Sequence, residues 1–70
     1  MIHYISIGSW ESLDGFSHAD ISVYYTEEDG PPMIDLDYVF AAGMLAEDAR
    51  TLAEGLIEAA NKADAESGAV

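Results

Sequence analysis

Three short segments with a two-residue hydrophobic period precede one long segment whose apolar residues recur every three or four positions. The first, IHYISIGSW from Ile2 to Trp10, is rich in β-branched and aromatic residues. Strict alternation would set Ile5 and Ile7 on one side of a strand and Tyr4 and Trp10 on the other. In SHADISVYYT, Ala19, Ile21, Val23 and Tyr25 share a side. The ESLDGF segment between these two contains Asp14-Gly15, the residue pair a chain reversal needs, so the two segments predict a hairpin. EEDGPP, Glu27 through Pro32, joins three like charges to a glycine and two prolines, which marks a second turn. After it, MIDLDYVF places Ile34, Leu36, Tyr38 and Phe40 on one face and Asp35 and Asp37 on the other, and this third strand ends near Ala41.

Beyond Ala41 the period changes to that of a helix. Leu45, Ala49, Leu52, Ala53, Leu56, Ala60 and Ala63 form one stripe, and the predicted helix runs from about Ala46 to about Ala65. Glu47 and Asp48 suit the positive end of its dipole, and Glu58 to Lys62 is a favourable i,i+4 pair. Gly55, within the helix, costs about 1 kcal/mol relative to alanine, so close packing on the sheet is its expected justification. The fold class is α+β: an antiparallel three-stranded meander followed by one helix, β-β-β-α, in a single domain over 1–66 with a frayed tail at 67–70.

Composition narrows what such a domain can do. The chain has 70 residues, which allows one hydrophobic core with a stability of only a few kcal/mol. Fourteen carboxylates face only Arg50 and Lys62, for a net charge of −12. Nucleic acid and anionic membranes are disfavoured as direct partners, because binding either requires cationic side chains, and a basic partner is favoured. The acidity could equally serve solubility alone. No apolar run approaches the roughly 20 residues needed to span a bilayer and no basic leader is present, which predicts a cytoplasmic protein.

The stretch IDLDYVFAAGMLAEDARTLAEGLIEAANKADA, with its strand Ile34 to Phe40 and helix residues Ala49-Arg50, Leu52-Ala53, Leu56 and Ala59-Ala60, covers about half the chain. It resembles a strand-then-helix unit of small uncharacterised proteins from actinobacteria and their phages. The resemblance implies such an origin and no activity. Those proteins carry Ser or Thr followed by Pro or Ala just before the helix, where this chain has Leu45 and Ala46. That departure implies a helix start that is frayed or capped by a partner, at a cost of about 1 kcal/mol.

Chemistry-bearing motifs are sparse. There are no cysteines and two histidines, too few for a closed zinc site. Asp35-x-Asp37 projects two carboxylates about 7 Å apart, yet no calcium-loop spacing surrounds them. His3 and His18 could pair with Asp14 or Asp20 as a general base, but no serine or cysteine sits in a nucleophile setting. The expectation is therefore a non-enzymatic protein with no catalytic, cofactor or metal residues. The sheet face opposite the helix carries Tyr4, Trp10, Tyr24, Met33, Asp35 and Asp37 and is the candidate interface. In the competing register, Tyr4 and Trp10 turn into the core. The function expected is a phage-encoded acidic protein that binds a host protein, with homodimerisation through the aromatic face or through exposed strand edges. The alternative is a DNA mimic that blocks a nucleic-acid-binding protein, with Glu27, Glu28 and Asp29 extending the negative edge.

Overall fold

The computed structural model describes residues 2–26 and 30–67. Strands β1 (Ile2–Glu11), β2 (His18–Thr26) and β3 (Met33–Val39) form one antiparallel sheet in the order β1-β2-β3, and α1 (Ala46–Ser67) packs on one face of it. The expected β-β-β-α meander is the one formed. The first reversal falls at Asp14-Gly15, with Gly15 at φ 77°. Glu27, Glu28 and Asp29 of the second turn lie outside the described residues. The helix continues two residues past Ala65, and of the tail expected to fray only Ser67 is described, as its last residue.

One irregularity in β1 decides which side chains enter the core. Its pairing with β2 runs from Ile2↔Thr26 to Ser6↔Ser22, skips Ile7, and resumes with Gly8↔Ile21, ending at Glu11↔His18. The extra residue is a β-bulge, and each such insertion exchanges the two faces of everything that follows. Before the bulge the odd residues His3 and Ile5 share the helix side with Tyr25 and Val23, their partners. After it the even residues Gly8 and Trp10 share that side with Ile21 and Ala19. Gly8 supplies the local geometry at φ 157°, a conformation that residues with a side chain rarely adopt.

The placement of Trp10 on the open sheet face is thereby corrected. Trp10 is 6% exposed and joins Ala19, Ile21, Val23, Leu52 and Ala59 in the core, with Ile5, Ile7, Leu36, Leu56 and Ala63 packed around them. Phe40 meets the indole edge-on at 6.2 Å and stacks on Tyr38 at 4.5 Å. The indole Nε1 is buried with no hydrogen-bond partner, which costs part of what the ring's burial contributes. Tyr4, on the other side of the bulge, stays outside.

The helix is also turned relative to its expected stripe. Asp48, Leu52 and Ala59 are buried, and Gly55, Leu56, Ala60 and Ala63 are half-buried, whereas Leu45, Ala49 and Ala53 are exposed. Small residues explain the rotation. A Cβ at Gly55 would lie 2.9 Å from the Cδ1 of Ile21, so the helix settles onto the sheet along its Gly55 and Ala59 side. Lys62 pairs forward with Glu66 at 3.2 Å, and not with Glu58. The helix covers β1 and β2 better than β3. Ile34, Tyr38 and Phe40 do face its side as expected, yet they remain exposed.

Candidate functional site

The uncovered sheet face is built from four registered rows. Tyr4, Tyr24 and Met33 form the first row, and Ser6, Ser22 and Asp35 form the second. Ser9, Asp20 and Asp37 follow, then Glu11, His18 and Val39. Antiparallel pairing puts such residues side by side, about 4.5–5.5 Å apart at Cβ. The face is therefore graded, apolar at one end and anionic over its middle rows. Tyr4 and Tyr24 meet with ring centroids 5.8 Å apart, and Ile2 and Met33 extend the exposed apolar end. Tyr4 itself is 64% exposed.

The anionic rows carry a local cost. Asp20 lies directly opposite Asp37, and like charges in that relation destabilise a sheet by a few tenths to about 1 kcal/mol. Asp35 is one pleat away on the same face. These exposed carboxylates contribute nothing to the core. Five of the six candidate interface residues, Tyr4, Tyr24, Met33, Asp35 and Asp37, thus share this face, and Trp10 does not. Asp20 belongs with them: the alternation of the β2 segment assigns it to this same face, although it is not among the six candidate interface residues.

The two histidines are not brought together. His3 stacks on Tyr25 at 4.9 Å on the helix side, whereas His18 is opposite Glu11 at the far end of β2. Among the described residues no three His, Asp or Glu side chains are grouped as metal ligands would be. None of the helices described is long and apolar enough to cross a membrane.

A polar clasp at the end of β1 was not legible from residue types alone. The Ser12 Oγ donates to Asp14 Oδ1 at 2.6 Å and accepts from the Ser17 N–H at 3.0 Å. Asp14 Oδ1 also accepts from the Phe16 N–H at 3.0 Å, and these bonds hold its carboxyl below the usual pKa range. The Ser17 Oγ receives the Ala41 N–H at 2.8 Å, tying the loop to the chain after β3. The buried Asp48 of α1 accepts the Leu13 N–H at 3.0 Å. The helix start lacks a side-chain cap at Leu45, but it is not frayed. Ala49 donates to the Leu45 carbonyl at 3.0 Å, and Asp48 anchors the first turn to the β1–β2 loop. The loop so fixed displays Leu13 and Phe16 to solvent, 70% and 73% exposed.

Comparison of the chain with protein-family models, with curated proteins and with solved structures finds no match.

Proposed function

We propose that this protein is a non-enzymatic interaction module whose open sheet face binds a cationic host protein. A single observation carries the reading: the apolar row Tyr4–Tyr24–Met33 and the carboxylates Asp20, Asp35 and Asp37 occupy one uncovered face. Large aromatics are the anchors that dominate protein interfaces, while flanking carboxylates attract and orient a basic partner. A net charge of −12 would speed that encounter and make it sensitive to salt. The likeness to actinobacterial and phage proteins points to a bacterial host as the source of the partner.

The test is affinity capture from such a host at low and high salt. Wild-type protein should recover a basic protein, with recovery falling as salt rises, and Tyr4→Ser with Tyr24→Ser should lose it. Equal recovery by the wild type and the double variant would overturn the reading. The opposition of Asp20 and Asp37 also supports a second reading, a DNA mimic, because Asp35 and Asp37 recur at about 7 Å, close to a phosphate repeat. Under that reading the captured protein binds DNA, duplex DNA displaces it, and Asp20→Asn with Asp37→Asn abolishes capture where the tyrosine variant does not.

A further inference from the structure

We propose that the outer edge of β1, from Ile2 to Ser6, pairs antiparallel with the same edge of a second copy of the chain. Two three-stranded sheets would then join into one continuous sheet. β1 is an edge strand, so alternate residues direct their N–H and C=O groups away from β2, and such an edge is a template for a further strand.

Charge selects this edge over the other surfaces. Ile2 to Trp10 contains no Asp, Glu, Lys or Arg in a chain of net charge −12. The competing edge, β3, bears Asp35 and Asp37. Stacking two open faces about a two-fold axis would draw the carboxylates of Asp20, Asp35 and Asp37 of both copies into or beside one interface, between chains that each carry a net charge of −12. Along Ile2 to Ser6 two copies can pair with no carboxylate in the paired segment.

Packing supports the same edge. Ile2 and Tyr4 flank it as exposed side chains on the open face, and Ile5 and Ile7 flank it half-buried on the helix side. Pairing would cover both sets at once. The bulge after Ser6 bends the strand and limits straight pairing to the first five residues of β1. Antiparallel pairing centred on that run sets Tyr4 beside Tyr4 of the second copy, and Ile2 beside Ser6. The row Met33–Tyr24–Tyr4 then continues across the axis into its mirror row, doubling the apolar anchor of the face described above. The inference needs no host partner, so it stands or falls separately from the proposed function.

Because the chain has no cysteine, a single introduced thiol reports the geometry directly. Side-by-side residues of antiparallel strands have Cα atoms about 4.5–5.5 Å apart, within disulfide range. Under mild oxidation Tyr4→Cys should give a disulfide-linked dimer at least about tenfold faster than Val39→Cys, on the opposite edge strand. Sedimentation of wild-type protein should show a dimer that strengthens from about 0.1 M to about 1 M NaCl, as the screening length shrinks from about 10 Å to about 3 Å. Ser6→Glu, at an exposed position, should weaken that dimer about fivefold or more without changing the monomer's circular dichroism. The proposal is overturned by a wild type that stays monomeric at high salt and high concentration, by cross-linking as fast at Val39 as at Tyr4, or by association that weakens with salt.

Discussion

Tyr4 and Trp10 are both large aromatics at even positions of β1, yet one lies on the open sheet face and the other in the core. Between them are the unpaired Ile7 and the glycine at φ 157° that follows it. The N-terminal half of the strand is an uncharged edge with apolar side chains spilling over both faces. The C-terminal half is locked: Trp10 is enclosed by β2, Phe40 and the core, and the loop beyond it is pinned through Ser12, Asp14, Ser17 and Asp48. One inserted residue thus lets a single strand offer a pairing edge at one end and a structural anchor at the other. Hydrophobic character did not separate the two aromatics; their place relative to the bulge did.

Breaking the anchor should have the largest effect. Trp10→Ala is expected to cost about 3–5 kcal/mol, as removal of a buried aromatic usually does, and that is comparable with the whole stability of so small a domain. Tyr4→Ala should cost no more than about 1 kcal/mol, mostly through its lost pairing with Tyr24. Chemical denaturation followed by circular dichroism measures both, and equal losses would mean the two halves of β1 are alike after all. Trp10→Phe should lose less than Trp10→Ala, partly because it also removes the orphaned indole N–H.

The bulge itself comes next. No atom lies within 4 Å of a Cβ built on Gly8, so a Cβ there meets no steric obstacle and the cost of Gly8→Val includes that of holding its backbone at φ 157°. Holding a β-branched residue there should cost about 1–3 kcal/mol. If Gly8→Val melts like the wild type with Trp10 fluorescence still that of a buried indole, the bulge does not depend on glycine.

The smallest expected effect lies in the clasp. Asp14 has a lowered pKa because Ser12 and the Phe16 N–H bond its ionised form. A depressed pKa means this support is present above the ordinary value of 3.8 and is lost as pH falls through the lower folded value. Acid titration should therefore move the Phe16 amide resonance with a midpoint below 3.8, while amides of Ile2 to Ser6 stay unmoved. A midpoint at or above that value, or equal movement in both halves of β1, would remove the clasp as a local device. Asp14→Asn should abolish the transition.

By itself the sequence determined the element order, the two turns and the faces of β2 and β3, because periods of two and of three to four residues are written in single side chains. Alternation of SHADISVYYT and MIDLDYVF was enough to place Ala19, Ile21 and Val23 in the core and Asp35 and Asp37 outside it. It also set the negative charge and the absence of Asp, Glu, Lys and Arg from Ile2 to Trp10. Tertiary structure alone decided where alternation stops. A bulge leaves no period to read, since Gly8 could equally have marked nothing, and only pairing against β2 showed that Ile7 has no partner. Likewise the apolar stripe of α1 was broader than the line of contact. The choice of Gly55 and Ala59 over Ala49 and Ala53 came from how closely backbone can approach Ile21, and the burial of Asp48 from an N–H 35 residues away in sequence. Both are relations between segments distant along the chain, which no local pattern of residues encodes.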